Sequence, residues 1–381
     1  MKSPGLRIAI DGRPALWPRT GIGTIAWNVL KRIRDFDETN QYFAYFNSNP
    51  ELTPSGPLPV ESRWGGPHQK LLWANTWLPR QLKRDGIDLF ITFLDKEVPF
   101  LPTKTQIVSM VHDLIPLRFP HVVFRNRAHR SYYNALIRAS IRRSALILTN
   151  SEYSRGEIVR ELGVDRSKVR KITLGVAPAP PVDRAPAADV LRRHNLRQPF
   201  VIALGSTEPR KNNVLVIEAM RLLQRDHADL QLAITGNNWR GHGFDSSLLD
   251  DFVRLLGHVS DDDLPVLMQS AEMLVFPSLH EGFGFPLLEA MAVGLPVVTS
   301  NVTAIPEVAG DAALLVDPRN AGDIAAAMKR ILEDRDLAAD LGRRGRARAG
   351  HFRWETTCAE LVSICECLFD KHEWQGQPVT P

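Results

Sequence analysis

The stretch HEGFGFPLLEA, His280–Ala290, decides how this chain is read. It follows the apolar run AEMLVFPS (271–278), and Pro286 stands where a helix best tolerates proline, in its first turn. EGFGF therefore reads as a strand-to-helix loop at the carboxyl edge of a parallel sheet. Gly282 and Gly284 allow a tight turn and a close approach of backbone to ligand. The free N–H groups and dipole of a helix start suit phosphate oxygens. Glu289 falls about one turn further on, where a carboxylate can accept two hydroxyl hydrogen bonds, as from a ribose diol. Glu281 stands before the loop, nearer the reacting end. The two glutamates are thus expected to bracket a diphosphate. A capped helix with two solvated glutamates is the plain alternative, and it leaves the glycines and the proline without a joint reason.

Outward from this loop, short apolar runs alternate with helical patterns, the signature of parallel βαβ units. LRIAID (6–11), FAYFN (43–47), DLFITF (88–93), QIVSMVHD (106–113) and ALILTN (145–150) read as strands, with helices near 23–36, 70–85, 125–143 and 152–162. A Pro- and Ala-rich segment, 177–190, interrupts the pattern and reads as a linker. FVIALGS (200–206), LQLAITG (230–236), AEMLVFPS (271–278), LPVVTS (295–300) and AALLVD (312–317) then restart it. The expectation is α/β: two doubly wound, Rossmann-like domains, 1–185 and 186–350, facing across a cleft at their carboxyl strand ends. A last helix, 351–381, is expected to pack back on the first domain.

At 381 residues the chain exceeds the size at which one core stops growing, in keeping with two domains. No apolar run approaches the length of a membrane helix, and the opening MKSPGLRIAID lacks a cleavage site. Cys358, Cys365 and Cys367 have no zinc-type spacing and are odd in number, so neither a metal site nor a disulfide framework is expected. A cytoplasmic location follows as the expectation. Asp261-Asp262-Asp263 could suggest a metal site. After GHVS at a helix start, however, Ser260 and these aspartates suit capping and first-turn positions. No metal is expected.

GSTEPRKN (205–212) also follows a strand and opens a helix, which places Arg210 and Lys211 on the same sheet edge as the glutamate loop, where paired cations neutralise a leaving diphosphate. Gly21-Ile22-Gly23 lacks the spacing of dinucleotide-binding enzymes, which counts against an oxidoreductase.

These residues together resemble the retaining glycosyltransferases of family 4, with the GT-B fold. The resemblance lies in EGFGFPLLEAMAVGLPVVTSNVTAIPEVAGDAALLVDP (281–318), EPRKN (208–212), LGHVSDDDL (256–264), VHDLIPLRFP (111–120) and FRWE (352–355), and covers nearly the whole chain. It implies that Arg210 and Lys211 hold the donor diphosphate, Glu289 the ribose and Glu281 the donor sugar. It implies that His112 and Asp113 line the sugar pocket from the opposite side, and that a loop bearing Gly21 and Gly23 approaches the phosphates or acceptor. Val259, Gly282, Phe283, Gly284 and Phe285 complete the implied donor-binding set, and Glu281, His112, Arg210 and Lys211 the catalytic one. The motif style is that of α-mannosyltransferases, which implies GDP-mannose as donor and a lipid-linked oligosaccharide or polysaccharide precursor as acceptor. A UDP-sugar donor remains the alternative, as does a nucleotide-sugar epimerase or a silent binding protein on the same fold.

Two features stand apart. Trp64, Trp73 and Trp77 crowd one segment, as core or as a surface for sugar or lipid. From Leu114 to Ser151 there is no acidic residue but seven arginines. On a helix over 125–143, Arg127, Arg130, Arg138 and Arg142 share an arc with Ile137 and Ile141, while Ala128, Tyr132, Ala135, Leu136 and Ala139 lie opposite. The basic arc is expected to face an anionic membrane surface, on the inner face of the cytoplasmic membrane, and the opposite one the core. No motif for nucleic acid accompanies the charge.

Overall fold

Parallel strands buried on both faces need continuous apolar runs, and FVIA, LFIT and LILT supply them with every residue buried. The computed structural model describes residues 5–17, 21–50, 58–101, 103–177, 187–205, 208–236 and 249–369. The chain forms two compact units, one ending at Gly175 and resumed from Arg353, the other Val176–Phe352.

The first unit holds β1 (Arg7–Asp11), β2 (Gln41–Phe46), β3 (Glu61–Trp64), β4 (Leu89–Thr92), β5 (Gln106–Met110), β6 (Leu146–Thr149) and β7 (Val169–Lys171). They form a parallel sheet in the order β3-β2-β1-β4-β5-β6-β7. The second unit holds β8 (Phe200–Ala203), β9 (Gln231–Thr235), β10 (Val253–Gly257), β11 (Leu274–Phe276), β12 (Val297–Ser300) and β13 (Leu314–Val316). Their parallel order is β10-β9-β8-β11-β12-β13. Strand order reverses between β1 and β4 in one sheet and between β8 and β11 in the other. Open α/β sheets bind ligands outside the carboxyl ends of such strands.

Strands β3, β7 and β10 escaped the sequence reading, and all three lie at sheet edges. ESRW and VRK have no apolar run, because an edge strand buries less of itself. The Pro-rich residues 178–186 lie outside the described residues, and a helix, Ala187–Arg193, begins within the expected linker. The chain passes between units at Gly175–Val176 and again at Phe352–Arg353, rather than at 185 and 350.

The last helix, Trp354–Phe369, is part of the first unit. Thr173 donates to Glu360 through its N–H (2.6 Å) and its hydroxyl (3.0 Å), and Thr357 Oγ1 donates to the Thr173 carbonyl at 2.7 Å. A Cβ on Gly175 would meet the Trp354 nitrogen at 2.4 Å, so only glycine lets the two segments cross. Cys358 and Cys365 are buried in this helix. Burial pushes the Cys358 thiol up to about 12, which makes it a packing group rather than a nucleophile.

The basic helix, Arg127–Arg143, corrects the expected orientation. Tyr133, Ile137, Ser140 and Ile141 are its buried residues, whereas Ala128, Tyr132 and Ala135 are exposed. The isoleucines pack with Phe124, Ile147 and Ile158, so they are unavailable to a bilayer. Arg127, Arg130, Arg138 and Arg142 are exposed as expected. The error arose because β-branched residues on a basic arc looked like membrane anchors, when the arc's edge is the core seam. Trp73 is fully buried and stacks on Trp77 at 5.7 Å within a π-helical turn, Trp73–Trp77, while Trp64 is 57% exposed on edge strand β3.

Candidate active site

At the β8/β11 reversal the second unit gathers charge. A short 3-10 turn, Pro209–Lys211, follows β8 and buries Arg210. Its guanidinium forks onto Glu208, Nε to Oε1 at 2.9 Å and NH2 to Oε2 at 3.0 Å. NH1 reaches the His280 carbonyl at 2.5 Å and Glu281 Oε1 at 2.7 Å. Lys211 Nζ and Ser278 Oγ donate to that same Oε1, each at 2.8 Å. Burial alone would raise the Glu281 carboxyl, but Lys211, then Arg210 and Ser278, hold it down to about 2. Three donors converge on one oxygen, and Oε2 has no hydrogen bond among the described residues. Asn212 (φ 63°) and Thr303 (φ 62°) hold left-handed backbone beside this cluster, and Thr303 Oγ1 accepts from the Glu281 N–H at 3.2 Å. Side chains other than glycine tolerate such angles at a cost, and tend to do so at functional sites.

Gly284 turns the chain at φ 111°, and the helix Phe285–Val293 starts there with Pro286 in its first turn. Phe283 is buried edge-on to Phe285 (5.2 Å) and Phe352 (5.8 Å), so its ring anchors the loop. Gly282 and Val259 are also buried. Glu289 is half-buried, with no hydrogen bond among the described residues. Burial, and then Asp261, raise its carboxyl. A desolvated carboxylate without donors suits a ligand that brings its own.

Arg210 and Lys211 therefore meet Glu281 directly, whereas Glu289 has no cation against it among the described residues. Arg210 is 7% exposed and committed to Glu208, His280 and Glu281, and Lys211 Nζ is paired with Glu281 as well. At the start of the helix Asp263–Ser270 the serine, not an aspartate, takes a backbone donor: Ser260 Oγ accepts from the Asp263 N–H at 3.1 Å, and Asp263 pairs with Arg193 and His194. No cluster of three potential metal-binding side chains occurs among the described residues.

The first unit holds the other expected residues. His112 follows β5 with Nε2 2.9 Å from the Phe93 carbonyl. A carbonyl only accepts, so Nε2 carries the proton and Nδ1 the lone pair. Burial lowers the His112 pKa, and the ring is neutral at pH 7. Asp113 Oδ1 caps the next turn through the Ile115 N–H (3.0 Å). Gly21 and Gly23 do not lie in a loop: they form the first turn of the helix Gly21–Arg32.

A second charged cluster went unnoticed in the sequence, at the β1/β4 reversal. Arg13, 2% exposed, forks onto Asp11 (2.9 and 2.6 Å) and reaches Glu97 Oε2 at 3.0 Å. Thr92 Oγ1 donates to Asp11 at 2.9 Å, and the guanidinium lies 4.1 Å from the Trp73 ring. Lys70 Nζ stands 3.6 Å from Glu97 Oε1 and 4.7 Å over Trp17. The signal that could have revealed it is the acid-x-Arg spacing near the carboxyl end of a strand, DGR at 11–13, where Asp11 ends β1, and EPR at 208–210, beyond β8.

Two Rossmann-like units, the second with a cation-flanked glycine loop running into a helix start, define a glycosyltransferase of the GT-B fold. The chain belongs to the family 4 glycosyltransferases: residues 190–348 match the model for glycosyl transferases group 1, and residues 21–180 that for glycosyltransferase family 4. It is 32% identical over 407 residues to the O-antigen chain mannosyltransferase B of Escherichia coli, covering 95% of this chain and 100% of that one. It is 27% identical over 333 residues to a D-inositol 3-phosphate glycosyltransferase of Salinispora arenicola, covering 81% and 71%. The crystal structure of Anabaena Alr3699/HepE in complex with UDP-glucose shares the fold, with a TM-score of 0.75, 17% identity and coverage of 96% and 100%.

Proposed function

We propose that this glycosyltransferase is a retaining α-mannosyltransferase that takes mannose from GDP-mannose, without a metal, to a lipid-linked oligosaccharide or polysaccharide precursor. The observation that carries this reading is the end-to-end similarity to the E. coli O-antigen mannosyltransferase. The geometry of the second unit supports donor binding. Glu289, which hydrogen-bonds no other described residue, offers its oxygens to the ribose diol, and Lys211 and the helix start face phosphate. Glu281 keeps Oε2 for a sugar hydroxyl.

In the reaction the bond from the sugar's anomeric carbon to the diphosphate breaks and the acceptor oxygen bonds that carbon on the same face. The acceptor's proton passes to the departing phosphate. Lys211 and the helix N-terminus stabilise the charge growing on that phosphate. Glu281, kept ionised by its cations, stabilises positive charge on the sugar. Lys211→Ala should cost about 2–4 kcal/mol of transition-state stabilisation, read in kcat/KM. Glu289→Ala should mainly weaken nucleotide binding.

The HepE complex with UDP-glucose favours a second reading, a UDP-sugar donor. A binding panel of GDP, UDP, ADP and their sugars decides between them, and stabilisation by UDP above GDP removes the mannose assignment. An inverted anomer in product NMR rejects the retaining mechanism. Loss of activity with EDTA, restored by manganese, rejects metal independence.

No helix among the described residues is long and apolar enough to cross a membrane. Membrane attachment in this reading is electrostatic, through Arg127, Arg130, Arg138 and Arg142, at about 1 kcal/mol per cation near an anionic surface. Reversing Arg127, Arg130 and Arg138 to Glu should release the protein from anionic liposomes and leave nucleotide affinity intact. Sedimentation of the triple variant like its parent rejects this face.

A further inference from the structure

The arginines of the acid-free stretch, Leu114 to Ser151, have to find partners outside it. Arg118 reaches Glu157 and Glu161, each at 2.9 Å, and Arg143 donates to the Pro99 carbonyl at 3.2 Å. Arg138 and Arg142 have no hydrogen bond or ion pair among the described residues. They stand one turn apart on the helix Arg127–Arg143, where like charges repel. Lys168 joins them around a cleft of about 240 Å³, with Ile141, Leu162 and Val164 as its apolar lining. Its Nζ is held by the Ile141 carbonyl at 2.8 Å, and burial lowers its pKa. The acid of the lining, Asp165, accepts instead from the Ser167 N–H at 2.7 Å. The cleft opens at the amino end of the sheet, because the helix Arg127–Arg143 leads into β6 and Lys168 into β7. Ligands of the reaction belong at the opposite, carboxyl edge.

We propose that this cleft is a separate site for a phosphate monoester, held by the Arg138 and Arg142 guanidiniums and the Lys168 ammonium. Such a group carries about −1.5 to −2 charge at pH 7 and offers three strong acceptor oxygens, one for each cation. A carboxylate would leave one cation unmet. Sites for drug-sized ligands occupy roughly 300–1,000 Å³, so this cleft suits a phosphate on a short stem and not a nucleotide-sugar. Capping of the helix end is complete with Lys168 on the Ile141 carbonyl and gives the two arginines no use. A lipid headgroup and a soluble phosphate ester both present this chemistry. The lipid source rests on the electrostatic membrane attachment proposed above; the site itself does not.

The test uses the full chain, with glycerol 3-phosphate as the soluble probe in calorimetry and with GDP and UDP titrated into the same preparations. The parent should bind the probe. Arg138→Gln and Arg142→Gln should each weaken it about tenfold, the loss of one hydrogen bond between charged groups. Arg127→Gln, on the same helix but outside the cleft, should leave it unchanged. Nucleotide affinity should match the parent's in every variant, which verifies folding and separates the cleft from the donor edge. Vesicles of phosphatidylcholine with phosphatidic acid or with phosphatidylserine, matched in surface charge, then distinguish the sources. A preference for phosphatidic acid that Arg142→Gln loses identifies the headgroup. Binding of the probe with no such preference identifies a soluble ester, and with no vesicle binding at all it removes the membrane reading while the site stands. A parent that neither binds the probe nor prefers phosphatidic acid overturns the site. So does probe binding that survives Arg138→Gln and Arg142→Gln together, or that Arg127→Gln weakens as much as they do.

Discussion

The two strand-order reversals share a plan and differ in electrical balance. Glu281 receives Lys211, Arg210 and Ser278 on one oxygen and is held strongly ionised. Burial raises the Glu97 carboxyl; Arg13 and Lys70 pull it down without prevailing, and Asp11 and Asp95 push it up. One glutamate is therefore closed on its own cations. The other is under-satisfied and gains from any donor that arrives. Similar wiring holds Glu281 ionised in one unit and leaves the Glu97 carboxyl raised in the other. A lysine's distance, a serine and a helix start make the difference.

The largest test of this contrast removes each arginine. Arg210→Met and Arg13→Met each remove a buried guanidinium shared by two carboxylates, and each should cost about 3–5 kcal/mol of stability, read by urea unfolding. They should part in binding: Arg210→Met should abolish nucleotide-dependent stabilisation, whereas Arg13→Met should keep it. Equal loss from both would break the distinction.

The pH dependence comes next, with opposite signs in the two units. The depressed Glu281 pKa contributes stability that is full above the ordinary carboxyl value and lost as pH falls towards 2. From a shift of this size the contribution is on the order of 3 kcal/mol. Glu281→Gln should flatten that acid limb. The raised Glu97 pKa means stability is lost as pH rises through the window above the ordinary carboxyl value. Glu97→Gln should therefore be neutral or stabilising at pH 7, and a destabilised variant there would show that Glu97 is a structural strut.

The smallest effect concerns Gly12. A Cβ there would lie 2.3 Å from the Phe46 ring, so Gly12→Ala should push the Asp11–Arg13 segment off its seat. A cost of about 1–3 kcal/mol is expected from overpacking, with nucleotide affinity unchanged. Reduced nucleotide affinity would mean the two edges are not independent.

The inner strands were legible because burial on both faces demands apolar runs such as FVIA and LFIT. Glycines and a proline between VFPS and a helical pattern made the glutamate loop legible as well. Edge strands such as ESRW were hidden because solvent accepts polar residues there. The direct Arg210–Glu281 pair was hidden because side-chain reach is not written in spacing: residues about 70 positions apart are brought together by the β8–β11 pairing. The orientation of the basic helix failed for a related reason. Ile137 and Ile141 sit at the border of charge and core, and only the sheet beneath them settles which side they take.

The helix Trp354–Phe369 completes the first unit, although residues 176–352 separate it from the rest of that unit. During synthesis the ribosome makes the whole second unit while the first still lacks the helix that packs on Gly21–Arg32 and receives Thr173. Domains generally fold in the order in which they emerge. Here the earlier one must wait, with the seats of Leu361 and Cys365 uncovered, until the later one has been made. A transcript cut short before Trp354 would thus yield a nascent chain whose second unit can fold but whose first remains an open client for chaperones.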